Sequence, residues 1–242
     1  MGYIFEKKYD IRYYEADFSG KILLSRLLNF FDDCAIKQSE SIGVGLNYLK
    51  SLNASWFLYQ WDISIKELPS YNDVIIVKTE PLEFCRFYGT RKFEVFLNKN
   101  KIIEAFSIWI FIDIVKKSPK RIPEELSTAY GVEKESEKIK HIEISTSENY
   151  SIKRIEEATI SDLDTNNHIN QAVYLDWAIN SLPIEFISAN KPERLKVIYK
   201  KETKLNEKVE IKTAIVNNTT HHKIFSSSNY ELCCIEINWT KK

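Results

Sequence analysis

The sequence predicts an α+β protein in which one order of elements, strand, helix and four strands, is used twice. Three observations predict it. Apolar residues recur at i, i+3, i+4, i+7 and i+11 in Leu24, Leu27, Leu28, Phe31 and Ala35, which is one face of an α-helix. A second helical stretch carries Val173, Tyr174, Trp177, Ala178 and Ser181 on adjoining faces. After each helix come segments rich in β-branched and aromatic residues, separated by polar turns. A length of 242 residues suits one large domain or two of about 100–150 residues, and a repeated element order is what a tandem repeat leaves.

Taken in order, Tyr3 to Tyr13 reads as a strand, and the break at Ser19-Gly20 precedes the first helix. Gly43 suits the cap after that helix, and Leu46 to Leu52 adds a short helical turn. Strands are expected over 55–66, 73–84, 90–97 and 102–115, with the polar run 97–101 as a hairpin turn. The run Ile102 to Ile112 is almost continuously apolar, as in a central strand covered on both faces. Residues 116–150 are rich in Lys, Glu, Ser and Pro and read as the connection between halves, with a short helix at 123–130. The second half opens with a strand over 151–158. Its helix starts with Asn170 as N-cap and stops at Pro183, and strands follow over 195–202, 208–216, 222–226 and 230–238. This organisation divides the chain into residues 1–115, 116–150 and 151–242. Periodicity alone permits several α+β arrangements of these elements.

Composition narrows the function. The 34 basic and 34 acidic residues cancel, so the broad positive field that nucleic-acid binding needs is missing. The N-terminus has no apolar signal core and no apolar run reaches the roughly 18 residues of a membrane span, so a soluble, cytoplasmic protein is expected. Cys34, Cys85, Cys233 and Cys234 form no CxxC or CxxH spacing with one another or with the four histidines, and neither a metal nor another cofactor is expected. Neighbouring Cys233 and Cys234 read as packed strand residues.

Chemically capable side chains are densest in the stretch from Ser161 to Gln171, sequence SDLDTNNHINQ. In an extended segment Asp164, Asn166 and His168 would project to the same side. A converging acid, amide and imidazole suits hydrolysis. His168 carries the side chain best suited to general-base work near neutral pH, and Asn166 is a neutral donor for a carbonyl or a water. A polar loop before a helix also serves simply to cap it. The corresponding stretch of the first half, Tyr14 to Gly20, has acids but no histidine or paired amide.

The string Asp-Leu-Asp-x-Asn-x-His-x-Asn, the helix with Tyr174 and Trp177, and the downstream Val-Ile-Tyr-Lys-Lys-Glu at 197–202 resemble the acyl-acyl carrier protein thioesterases. So do the segments around Tyr13 to Asp17, Pro69 to Asp73, Ser107 to Ile110 and Arg121 to Glu125, so the likeness runs through essentially the whole chain. The resemblance implies two tandem hot-dog domains, each a curved antiparallel sheet wrapped around a long helix, with the acyl pocket in the first and catalysis in the second. It also implies Glu202 as a catalytic carboxylate beside Asp164, Asn166 and His168, with Asp164 either positioning its neighbours or attacking the thioester itself. Some accounts of the family assign a nucleophilic cysteine directly after that glutamate; this chain has Thr203 there.

The implied partner is acyl carrier protein bearing a fatty acyl chain, with no nucleic acid or membrane, and the protein is a monomer or a homodimer. An acidic carrier calls for a basic surface, and Lys116, Lys117, Lys120 and Arg121, or Lys196, Lys200, Lys201 and Lys204, are candidates. Phe31 and the region of Trp56 and Phe57 are candidates for chain-length control. Acyl-CoA hydrolysis and non-catalytic acyl binding are the competing functions, because fold alone does not determine function.

Overall fold

The computed structural model describes residues 2–132, 139–147, 149–164 and 168–242. The chain divides into two compact units, residues 1–60 with 66–141 and residues 61–65 with 142–242.

The first unit contains β1 (Phe5–Asp10), α1 (Leu24–Ser41), α2 (Leu46–Ser51), β2 (Ala54–Ile65), β3 (Val74–Cys85), β4 (Tyr88–Leu97), β5 (Asn100–Asp113), the two-residue β6 (Ser118–Pro119) and α3 (Glu124–Ala129). Its main strands follow the order β1-β3-β4-β5-β2. The first strand is shorter than expected, because Tyr13–Glu15 forms a 3-10 turn in which the Glu15 carboxylate accepts the Arg12 N–H at 2.8 Å. Helix α1 runs as its apolar spacing dictates and buries Leu27, Leu28, Phe31 and Cys34. Phe31 stacks on Phe93 of β4 at 4.9 Å. Gly43, at φ +78°, supplies the left-handed residue that ends the helix. Asn98 and Lys99 both have positive φ and join β4 to β5, with Leu97 opposite Asn100, the two-residue turn whose twist suits a hairpin.

Strand β5 departs from complete burial: Ile103, Ala105 and Phe111 are buried, but Phe106 is 43% exposed. The segment expected to begin the interdomain connection is largely part of the first unit. Strand β6 pairs with the end of β5. Ile122, Leu126, Tyr130 and Val132 share a core with Val44, Leu49, Phe84 and Phe111.

The second unit repeats the plan with β7 (Ile152–Glu157), α4 (Gln171–Asn180), α5 (Ile184–Ala189), β8 (Asn190–Tyr199), β9 (Lys208–Val216), β10 (Thr219–Ser226) and β11 (Glu231–Lys241). Its order, β7-β9-β10-β11-β8, is again first, third, fourth, fifth, second. An antiparallel five-stranded sheet with a helix packed on it is thus built twice. The six-residue α5 was not foreseen; Pro183 ends one helical run and forms the extended N-cap of the next, a position where its missing N–H costs nothing. Strand β8 starts five residues earlier than expected and stops at Tyr199, so Glu202 lies beyond it.

Candidate active site

The polar stretch of the second unit is built as a small clasp. Ile160–Asp162 forms a 3-10 turn, and Thr159 donates its N–H to the Asp162 carboxylate at 2.7 Å. The chain then reverses, because Leu163 and Ile169 form an antiparallel bridge. Between them the Asp164 N–H donates to the His168 carbonyl at 2.8 Å, and the His168 N–H donates to Asp164 Oδ1 at 2.9 Å. Asp164 and His168 are thus bonded to one another at the two ends of this stretch, since local hydrogen bonds to an aspartate compete with strand formation. Asn166, with Thr165 and Asn167, lies outside the described residues.

Helix α4 follows at once. Asn170 accepts the Ala172 N–H on its side chain at 2.9 Å, so it is the N-cap its position suggested. Ile169, Ala172 and Leu175 are buried, which anchors the loop to the core. Across from the loop, Glu202 brings Oε1 to 3.5 Å from His168 Nδ1. Their side chains are 42% and 47% exposed, so a substrate can reach both. With Nδ1 turned to the carboxylate, Nε2 is the nitrogen left to handle a water proton. Asp164 and Glu202 thus approach His168 from different sides, one on its backbone and one on its ring.

Glu202 sits in a short unpaired segment with firm ends. The N–H groups of Lys200 and Lys201 both reach the Leu232 carbonyl, at 2.8 and 3.2 Å. Thr203 donates its N–H to the Tyr174 hydroxyl at 2.9 Å and its own hydroxyl to Glu207 Oε2 at 3.0 Å. Burial pushes the Glu207 carboxyl up, but hydrogen bonds from Thr203, Lys204 and Ser227 outweigh it and hold the group below the usual range. Thr203 is only 4% exposed, so the residue after Glu202 is an interior peg. Tyr174 and Thr203 entered the sequence reading separately, as part of the family resemblance and as the residue after Glu202, and nothing in the sequence pointed to the bond between them.

The first unit carries the same clasp without the chemistry. Ala16 and Ile22 form the matching bridge. The Asp17 N–H donates to the Lys21 carbonyl at 2.7 Å, and the Lys21 N–H donates to Asp17 Oδ1 at 3.2 Å. Lys21 stands where His168 stands, and it faces Glu67 at 4.0 Å just beyond the end of β2. The first unit thus has an amine where the second has an imidazole ring.

The other sequence candidates resolve as follows. Cys233 and Cys234 are buried and unoxidised, and burial raises both thiols, Cys234 to about 12, which removes their nucleophilic character. Among the basic candidates, Lys196 is bound to Glu236 at 3.0 Å and Lys200 is paired with Glu231. Lys201 lies over the Tyr230 ring at 4.0 Å, and Lys120 donates to the Leu52 carbonyl at 2.6 Å. Among the described residues no cluster of three or more His, Cys, Asp or Glu has the grouping to hold a metal, and no helix is long and apolar enough to cross a membrane.

Family models for the N-terminal and C-terminal domains of acyl-ACP thioesterases match residues 2–130 and 139–241. The chain belongs to the acyl-ACP thioesterase family. A chloroplastic palmitoyl-acyl carrier protein thioesterase of Gossypium hirsutum is 21% identical over 241 residues, which is 92% of this chain and 58% of that relative. Most of the curated relatives it matches are likewise spanned over less than two thirds of their length. An acyl-ACP thioesterase structure from Bacteroides thetaiotaomicron shares the fold at TM-score 0.88 and 21% identity, covering 98% of both chains. A 12:0-ACP thioesterase from Umbellularia californica does so at TM-score 0.85 and 16% identity, over 100% of this chain and 99% of that one. The two units are therefore tandem hot-dog domains, as the motif resemblance implied.

Proposed function

We propose that the protein hydrolyses the thioester between a fatty acyl chain and acyl carrier protein, releasing free fatty acid during fatty acid synthesis in the cytoplasm. The observation that carries this reading is the pair formed by His168 Nδ1 and Glu202 Oε1 at 3.5 Å on an accessible loop, in a chain of this family. A separation at the long end of hydrogen-bond reach is usual for a site without substrate.

In this reading Glu202 holds the imbalance of charge as His168 Nε2 takes a proton from water and the resulting hydroxide attacks the carbonyl carbon. The carbonyl oxygen becomes an oxyanion, and the tetrahedral species collapses by breaking the C–S bond. The departing thiolate then takes the proton from the imidazolium, leaving acid and free carrier thiol. Asp164 positions His168 through the backbone. Asn166 is assigned the substrate carbonyl or the attacking water on sequence grounds. The first unit, which takes in residues 116–141 of the expected connection, shapes the acyl pocket, and the second unit catalyses. Lys201 and Lys204, which form no ion pair with a described acidic residue, are the carrier-facing charges best supported within the second unit.

Steady-state hydrolysis of acyl-carrier proteins and matching acyl-CoAs of several lengths tests this. Carrier-protein thioesters are expected to be cleaved in preference, with activity falling about 10²–10⁴-fold in His168→Ala and Glu202→Ala. Preference for the CoA thioesters would assign the enzyme to acyl-CoA instead, and acyl binding without turnover would make it a binding module.

A further inference from the structure

We infer that Tyr174 is a positioning residue of this site, a role that rests on the hydrolytic reading above: its hydroxyl fixes Glu202 by receiving the N–H of Thr203. After β8 ends at Tyr199, ladder pairing no longer holds the chain. Glu202 is suspended between two attachments, the Leu232 carbonyl that receives Lys200 and Lys201 and the Tyr174 hydroxyl that receives Thr203. The second attachment is the informative one. Tyr174 belongs to α4, six positions after His168 in the same loop and helix, so a single hydroxyl ties the carboxylate's segment to the imidazole's.

The chemistry of the bond suits that task. A buried backbone N–H without a partner is costly, and Thr203 is buried, so loss of the Tyr174 hydroxyl is expected to shift the peg in search of another acceptor and Glu202 with it. Burial pushes the Tyr174 phenol up and keeps it neutral, which suits an acceptor that must stay in place through a catalytic cycle that moves protons nearby. A second strap runs in parallel: the Tyr199 hydroxyl donates to the Gln171 carbonyl at 3.1 Å, joining the last residue of β8 to the first of α4. The two rings meet edge to face at 5.8 Å, so the straps brace one another. Thr203 completes the peg through Glu207. In this chain the residue after the glutamate is thereby an anchor that needs only a backbone N–H and a small hydroxyl side chain, with no thiol chemistry.

The decisive variant is Tyr174→Phe, which keeps the ring packing against Trp177 at 5.3 Å and removes only the hydroxyl. Its kcat on the preferred acyl thioester is expected to fall about tenfold with KM unchanged, since a small misplacement of a reacting group costs on this order. In a Glu202→Gln background the same change is expected to lower the residual kcat by less than twofold, because its effect passes through Glu202. Equal losses in both backgrounds, or an unchanged kcat in the folded Phe variant, would overturn the inference. Two further readouts do not depend on turnover: the Thr203 amide should exchange faster in Tyr174→Phe, and the NMR signals of the His168 ring and Glu202 carboxylate should move. If the parent hydrolyses no acyl thioester, the hydrolytic reading fails; unmoved signals in the variant would separately sink the positioning role.

Discussion

Acidification from pH 7 to pH 5 is expected to remove about 2 kcal/mol of folding stability through one residue, His222. Its ring lies on β10, 1% exposed, with Nδ1 at 2.8 Å from Thr213 Oγ1 and Nε2 at 3.0 Å from Thr220 Oγ1. The donors run in one direction. Ser181 donates to the Ala178 carbonyl, so Thr213 donates to Ser181 and accepts from Nδ1–H. Trp239 donates to Thr220 at 3.0 Å, and Thr220 in turn donates to Nε2. A second ring proton would make the Thr220 hydroxyl turn away and give up its own hydrogen bond to the ring. Burial first, and repulsion from His221 second, lower this imidazole from 6.5 to about 3. Because the folded pKa is depressed, the unfolded chain binds the proton first. The stability is whole above pH 6.5 and is lost at about 1.4 kcal/mol per pH unit as pH falls toward 3, which gives about 2 kcal/mol at pH 5. Carboxylates such as Glu207, whose folded values are lowered, contribute mainly below pH 5. Urea unfolding at pH 7 and pH 5 of the parent and of His222→Gln isolates the effect, because the variant has no proton to bind. The same pH 7 to pH 5 decrement in both proteins would refute the argument.

The clasp makes a sharper statement about Asp164. Asn retains an oxygen acceptor for the His168 N–H, so Asp164→Asn should keep kcat within about tenfold of the parent while Asp164→Ala loses more; equal inactivity of the two would instead mark Asp164 as the nucleophile. Thiol chemistry should be dispensable. At pH 8 iodoacetamide is expected to label the partly exposed Cys85 and spare Cys34, Cys233 and Cys234, whose thiols burial raises, with activity retained. Inactivation that tracks alkylation of Cys233 or Cys234 would show that reasoning to be wrong.

The sequence by itself determined the periodic elements, because burial on one face writes itself directly into residue spacing. The α1 stripe from Leu24 to Ala35, the cap at Asn170 and strand β9 with its ends at 208 and 216 were all legible in this way. The repeat of strand, helix and four strands was legible too, and with it the contrast between a stretch carrying His168 and its first-half counterpart, Tyr14 to Gly20, which has no histidine. Local hydrogen bonding was not. That the Asp164 carboxylate accepts the His168 amide N–H depends on the antiparallel bridge between Leu163 and Ile169, which has no periodicity to read. The short α5 escaped for the same reason, since six residues are too few to display a helical period. Only the tertiary structure could bring Glu202 to His168 and turn Thr203 inward onto Tyr174, because those contacts join segments some thirty residues apart, and their distances depend on how α4 packs against the end of β8.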